Sequence, residues 1–416
     1  MEPLGTYLIQ KRVLKMQNIE DALQNQSIMG GKLGTNLVEL GYLPLDVLEM
    51  HLSNYFGVQA VDHNDLDQIS PPLLQSIPKR LIEQYQFLPL KKTGNILRIA
   101  TMNPQNQAMM KDLSGVLGVQ IEPRVASEIR LLFYLGQLCN FQADIRIRSL
   151  YFHFRKSHAA GKNLPPPIVA KEKRDLLQKG FKPLEQGEEL TSEGFEEYLL
   201  QQSITRAQEE TKEALTSHPK TPIPPHPKKT EDITEENEPI RELPKSSHIT
   251  MEDMNRLLPT LQERDQVGDL ATRFASQYVH SLVLFVVNSG LVTGWNARGR
   301  NLSKDSVRSL VVPIAAESVF QTISQGSAHF FGRLSNEMIN QRMLSTLGLK
   351  PDQEVLVIPV YLKKRLVNIL FAEHGNENLP QPNLNALLDL AKWLPKAYKQ
   401  LILCRKKEFK DNLKRI

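Results

Sequence analysis

Cysteine is scarce: Cys139 and Cys404 are the two in 416 residues, and neither sits in a metal-ligand spacing. A disulfide framework is therefore excluded, and a reducing compartment is the simple reading. Long apolar runs are also missing. The main ones, Leu282–Val287 and Val355–Leu362, fall well short of the roughly 20 residues that cross a bilayer. The start, MEPLGTYLIQKR, lacks the basic opening and apolar run of a secretory leader, so the chain is expected in the cytoplasm. No G-x-x-x-x-G-K-[ST] pattern occurs. Gly30-Gly31-Lys32 has neither the spacing nor the Ser/Thr, so no phosphate cradle of that type is encoded. An excess of one charge is missing too: 51 Lys and Arg face 46 Asp and Glu, a net +5 that by itself does not suggest nucleic acid.

What is present supports real cores. The hydrophobic share is 41% and the length suits two domains plus a linker. The most informative local feature is an internal repeat. At an offset of 29 residues, Leu4, Gly5, Thr6, Leu8, Leu14, Glu20, Leu23 and Asn25 match Leu33, Gly34, Thr35, Leu37, Leu43, Glu49, Leu52 and Asn54. Ile9 and Ile19 face Val38 and Leu48. Each copy reads as a pair of short helices, because Leu8 with Ile9, and Leu37 with Val38, fall one turn after Leu4 and Leu33. Asn18 caps in the first copy, and Pro44 with Asp46 opens the next helix of the second. Gly5 and Gly34 allow close approach of another group, either a packed helix or a ligand.

From Phe56 to Cys139 the pattern becomes mixed α/β. Phe87–Leu90 and Ile96–Thr101 read as a hairpin around Lys92-Thr93-Gly94-Asn95, Gln107–Leu117 as a helix stopped by Gly118, Val119–Pro123 as a strand and Ser127–Leu138 as a helix. Phe141–Ser157 interleaves Arg146, Arg148, Arg155 and Lys156 with Phe141, Tyr151, Phe152 and Phe154. Such a stretch suits nucleic acid or membrane, or forms the amphipathic end of a domain. Residues 161–262 read as a disordered linker. Pro165-Pro166-Pro167 and Pro219, Pro222, Pro224, Pro225 and Pro227 lie among charged residues that cannot offset their ordering entropy. A candidate helix, Ser192–Leu215, carries a weak apolar stripe. Apolar pattern returns near Gln266: a helix Val267–Tyr278, strands Ser281–Val287, Leu291–Trp295 and Leu310–Ile314, a helix Glu317–Ser324, a hairpin Glu354–Tyr361/Leu366–Glu373 and a closing helix Leu384–Leu403.

The first 138 residues or so resemble the MshEN family, the N-terminal domain of type II secretion and type IV pilus assembly ATPases. The resemblance is carried by P-L-G-T-Y-L-I-Q-K-R-V-L at Pro3–Leu14 with A-L-Q-N-Q at Ala22–Gln26, by K-L-G-T-N-L-V-E-L-G-Y-L at Lys32–Leu43, by the spacer Ser27–Gly31, and by L-R-I-A-T-M-N-P at Leu97–Pro104. It implies cyclic di-GMP as a ligand across the duplicated motif and secretion or pilus machinery proteins as partners. The implied contacts are Leu4, Gly5, Leu8, Ile9, Lys32, Leu33, Gly34, Leu37, Val38 and Gly41. Four positions depart from the family pattern. Pro3 and Lys32 stand for its leading Arg, Arg12 for a Gly and Tyr55 for a Gln; Lys keeps the charge but loses the planar fork. Residues from about 264 to 404 resemble a GAF domain in element order, which implies a sensing or dimerising module and a homodimer through it.

The expected fold class is thus α+β multidomain. A helical duplicated-motif subdomain and a small mixed α/β subdomain (1–140) come first, then a basic aromatic extension (141–160) and the linker (161–262). A GAF-like α/β sandwich (263–405) and a basic tail (406–416) follow. No catalytic constellation stands out. His51 and His63 lack a ligand array, Asp62, Asp65 and Asp67 lack the glycine and terminal Glu of a calcium loop, His329 and His374 lack a nucleophile elbow, and Trp295 and Trp393 read as core anchors. The expected function is a non-catalytic signalling or adaptor protein without metal or cofactor. The alternative is a nucleic-acid-associated regulator using 141–156 and the C-terminal tail.

Overall fold

Each copy of the repeat folds into a short helix, a turn and a longer helix. In the computed structural model these are α1 (Leu4–Gln10) and α2 (Met16–Met29), then α3 (Leu33–Glu39) and α4 (Leu45–Phe56). The structure describes residues 2–139, 141, 145–159, 248–288, 290–299, 302–375 and 380–414. Of the linker expected over 161–262, residues 161–247 with the candidate helix 192–215 lie outside the described residues.

The repeat is visible atom by atom in the turns. Val13 donates its N–H to Leu8 and Arg12 to Ile9, at 2.9 and 2.8 Å; Tyr42 and Gly41 repeat this onto Leu37 and Val38, at 3.0 and 2.9 Å. Asn18 caps as expected, from inside the helix: its Oδ1 accepts from the Lys15 N–H at 3.0 Å. Leu8, Ile19, Leu37 and Leu48 are buried at the centre of the N-terminal core.

Three short helices, α5 (His63–Asp67), α6 (Pro71–Gln75) and α7 (Lys79–Tyr85), lead into a three-stranded sheet. Strands β1 (Phe87–Thr93) and β2 (Ile96–Thr101) pair antiparallel around a turn with Gly94 at φ +58°, and β3 (Gln120–Val125) joins β2 in parallel. The crossover is α8 (Gln107–Leu117), stopped as expected by Gly118 at φ +62°. Helix α9 (Glu128–Cys139) then crosses back to the repeat, and α10 (Ile145–Ala159) packs on α9. The aromatic residues of the basic stretch are thereby used in packing. Tyr151 stacks on Phe133 at 4.0 Å, Phe152 meets the same ring edge-on, and Tyr151 is buried.

Residues 248–262, inside the segment expected as linker, are ordered into a helix, Met251–Leu257, opened by a reciprocal Thr250–Asp253 capping box. It precedes helix Arg264–Ala275 and a six-stranded, wholly antiparallel sheet. The strands are β4 (Ser281–Asn288), β5 (Leu291–Gly299), β6 (Val311–Pro313), β7 (Phe330–Arg333), β8 (Glu354–Leu362) and β9 (Arg365–Glu373). Their spatial order is β6-β5-β4-β9-β8-β7, so the first and last strands of the domain meet at its centre. This curled sheet with helices on its faces is the GAF-like sandwich expected from the sequence. Strand β7 and helix Met338–Thr346 are elements that the apolar pattern alone did not resolve.

The closing helix is longer than its apolar stripe suggested. It runs from Gln381 to Lys414, so the residues expected as a free basic tail are its last turns. The physical reason is burial and pairing beyond Leu403: Phe409 belongs to the N-terminal core, and Lys406 and Lys410 bond Glu20. Upstream, Leu387, Leu390, Trp393, Leu394, Ala397, Tyr398 and Leu401 are buried. No helix among the described residues is long and apolar enough to cross a membrane.

Candidate functional site

The ten residues implied by the repeat lie on or directly beside α1 and α3, but they do different jobs. Leu8 and Leu37 are fully buried, and Val38 nearly so, in the N-terminal core. Leu4, Ile9 and Leu33 are half-buried against the same core. Lys32 and Gly41 are exposed. Gly5 and Gly34 are buried at close approaches. A Cβ on Gly34 would meet Leu48 at 3.0 Å, and one on Gly5 would meet Ile19 and Phe409 at 3.1 Å and Leu33 at 3.3 Å. Ile19 and Leu48 are themselves repeat equivalents, so both glycines serve the contact between the two helices of their own copy. Of the two open readings of these glycines, the packing one is visible in the geometry.

The two turns differ in backbone strain. Gly41 sits at φ +70°, where glycine is at ease, whereas Arg12 at the matching position is held at φ +57°. A side chain in that region crowds the neighbouring carbonyl at a cost of roughly 1–2 kcal/mol. Arg12→Gly should therefore raise stability by about 1 kcal/mol once the greater freedom of the unfolded glycine is set against it. Gly41→Ala should lower stability by about the same amount. Denaturant titration of the two variants checks both signs.

The start of α3 is already capped by a carboxylate. Glu128, at the beginning of α9, accepts from the Lys32 N–H at 2.7 Å and from the Thr35 hydroxyl at 2.6 Å. At the other end of α3 lies a buried polar junction that sequence reasoning missed. Glu39, 1% exposed, accepts from Arg146 at 2.8 and 3.1 Å, from Asn25 at 2.5 Å and from Asn288 at 2.7 Å. Arg146 also donates to the Asn36 Oδ1 and to the Met29 and Gly30 carbonyls. Arg365 donates to Asn288 at 3.3 Å; burial lowers its pKa, against the pull of Glu39. Arg264 donates to the Met29 carbonyl at 2.8 Å while lying over the Trp295 ring at 4.1 Å. The junction thus ties the second repeat copy, α10 and the GAF-like sheet together. Its one signal in the sequence is Arg146 in the basic aromatic stretch.

A second link is made on the first copy. The Lys410 hydrogen bond and Lys406 hold the Glu20 carboxyl below its ordinary value, against desolvation. Glu49, the equivalent of Glu20, is instead bonded by Arg130 and by Ser127 at 2.7 Å.

The residues weighed for catalysis do not converge. Asp62 caps α5, Asp67 accepts from Tyr134, His374 stacks on His280 and burial lowers the pKa of His51. The side chain of His63 lies outside the described residues. Among the described residues no group of three or more His, Cys, Asp or Glu side chains is placed to hold a metal.

A family profile described as the MshEN domain matches residues 56–144, the α/β part that follows the repeat. The chain carries an MshEN domain. The chain is 30% identical over 128 residues to the type IV pilus assembly ATPase PilB of Myxococcus xanthus, covering 31% of this chain and 22% of that protein. It is 22% identical over 210 residues to PilB of Thermus thermophilus, covering 49% of this chain and 21% of that one. The matched part therefore spans 22% and 21% of the length of these two relatives. Among solved structures, MshE with cdg is similar at 23% identity, with 33% of this chain and 99% of that one covered and a TM-score of 0.28. The GAF domain of a phosphoenolpyruvate-protein phosphotransferase from Coxiella burnetii is similar at 14% identity, with 35% and 88% covered and a TM-score of 0.31. In this chain the MshEN match is followed by the domain built on the six-stranded antiparallel sheet.

Proposed function

We propose that this chain is a non-catalytic adaptor of the cytoplasm that works with pilus or type II secretion machinery and takes cyclic di-GMP on its duplicated motif. The observation that carries the reading is the MshEN domain in a sequence without a phosphate-binding loop. The likeness to pilus assembly ATPases over a fifth of their length supports the choice of machinery. The GAF-like domain stands in this reading as a sensing or dimerising partner of the MshEN domain.

The exposed members of the motif are the ones able to touch a ligand without unpacking the core. Lys32 and Gly41 are open, and Leu4, Ile9 and Leu33 are half-open. The second copy leads, since it holds both a cation and a glycine where the first holds Pro3 and Arg12. Calorimetry of the full chain with cyclic di-GMP should give saturable binding. Lys32→Glu, a change at an exposed side chain, should weaken it by about tenfold, the size of one lost charge contact reversed in sign. Pro3→Ala should leave it unchanged. Binding that ignores Lys32→Glu sinks the motif assignment, and no binding at all sinks the ligand.

The nucleic-acid alternative has less surface to work with. Tyr151 is buried, Phe152 and Phe154 are half-buried against the core, and Arg146 is committed to Glu39. At the other end, Lys406 and Lys410 are paired with Glu20.

A further inference from the structure

The two copies of the repeat are covered by helices of different origin. The outside of the second copy is covered by α9, whose Glu128 caps α3 and whose Arg130 bonds Glu49. The outside of the first copy is covered by the end of the closing helix. There Phe409, 6% exposed, packs 3.1 Å from where a Cβ of Gly5 would stand, and Lys406 and Lys410 reach Glu20 at 3.1 and 2.9 Å. Glu20 and Glu49 are repeat equivalents, so the same carboxylate position is met once from within the MshEN domain and once from the far end of the chain. We propose that residues 402–414 of the closing helix are a releasable clamp on the first repeat copy, through which the state of the GAF-like core controls access to the Gly5 face.

Three features separate this contact from its counterpart on the second copy. The ion pairs are partly solvated: the Lys406 and Lys410 side chains are 22% and 52% exposed, against 1% for Arg130. Solvent access weakens such pairs, that of Lys410 most of all. The docked state also leaves a polar group unsatisfied. Thr6 is fully buried without a hydrogen-bond partner among the described residues, whereas its equivalent Thr35 donates to Glu128. Beyond the buried Leu401, Phe409 is the one buried residue of the clamp segment, and Leu403 and Cys404 are exposed.

The same helix is anchored firmly at its other end. Tyr398, fully buried, donates to Asn368 at 2.7 Å, and Asn368 donates to the Phe285 carbonyl at 3.0 Å in the middle of the sheet. Burial pushes the Tyr398 phenol up to about 12. Trp393 and Leu394, about one turn earlier on the helix, are buried as well. A shift of the central strands β4 and β9 therefore has a stiff lever, about three turns long between Tyr398 and Phe409 at 3.6 residues per turn, that ends on the first repeat copy.

Its ligand arm rests on the cyclic di-GMP reading above; its mechanical arm does not. Hydrogen exchange is measured on the full chain, on Lys406→Glu/Lys410→Glu, and on that variant with Glu20→Lys added. The double reversal faces Glu20 with like charge while leaving every buried residue in place. Amides of α1 and of residues 402–414 should exchange about tenfold faster in the double reversal, as a local opening does, and return toward the parent rate with Glu20→Lys. Phe409→Ala should accelerate the same amides. Unchanged α1 exchange in both variants overturns the clamp. Cyclic di-GMP is then titrated on each protein. About threefold or tighter binding by the double reversal supports the control of access, because removing a competing closed state raises the fraction able to bind. Equal binding despite faster exchange overturns that control. Binding by neither protein removes the ligand reading alone and leaves the clamp to be decided by exchange.

Discussion

Arg130→Met should lower the stability of the MshEN domain by about 3–5 kcal/mol, because it strands a buried carboxylate. The Arg130 side chain is 1% exposed and that of Glu49 is 9% exposed. Two guanidinium N–H groups bond the two Glu49 oxygens, and Ser127 donates to one of them at 2.7 Å. Methionine matches much of the aliphatic stem, so the lost packing is small and the loss is electrostatic. Replacing both partners, Glu49→Leu with Arg130→Met, should recover most of the loss, since the desolvation of both charges disappears with them. Glu20→Leu, at the repeat-equivalent position, should cost only about 1 kcal/mol, as its lysine partners are partly in water. Denaturant unfolding of the full chain, followed by N-terminal exchange to locate the transition, measures all three. A loss below about 1 kcal/mol for Arg130→Met contradicts the arrangement.

Gly294→Ala should do comparable damage in the GAF-like domain. Strand β5 carries a bulge at this point: Leu284 pairs with Asn296 and Phe285 with Gly294, so Trp295 is the extra residue. The bulge turns Trp295 inward, where its Nε1–H donates to Asp265 at 3.2 Å. It also brings the strand against the helix Lys304–Ser309. A Cβ on Gly294 would lie 1.9 Å from the Val307 carbonyl oxygen, and the Gly294 N–H itself donates to the Leu310 carbonyl at 3.1 Å. Backbone cannot move aside as a side-chain tip can. The loss should therefore reach the upper end of overpacking costs, about 3 kcal/mol. Gly290→Ala, where no atom lies within 4 Å, is the control. Its cost should be limited to that of a left-handed alanine at φ +78°, about 1 kcal/mol. Thermal unfolding followed by tryptophan fluorescence reads the difference, and equal losses at the two positions would refute the clash.

Much of the local structure was legible in the residues. Matching residues at an offset of 29 determined two copies of one helix pair, because equal apolar spacing and equal turn chemistry fold alike. Gly118 and Gly94 marked the ends of their elements by their freedom at positive φ. Alternation and apolar runs placed eight of the nine strands in the right stretches, since pleated faces demand them. Strands β6 and β7 are short and half-exposed at the two edges of the large sheet. The apolar pattern weakens there, and β7 was missed.

What only the tertiary structure decided is which partner each equivalent residue meets. Glu20 and Glu49 are the same residue at the same position of the same motif. One is bonded by an arginine 81 residues away, the other by a lysine 386 residues away. Phe409 and the two lysines read as the apolar speck and charge of a solvated tail, because nothing nearby in the chain buries them. The surface that does so is built by residues 5, 19, 20 and 33. Periodicity records that a helix has a face to bury. It carries no record of the surface that buries it, because that surface exists only after distant segments have packed.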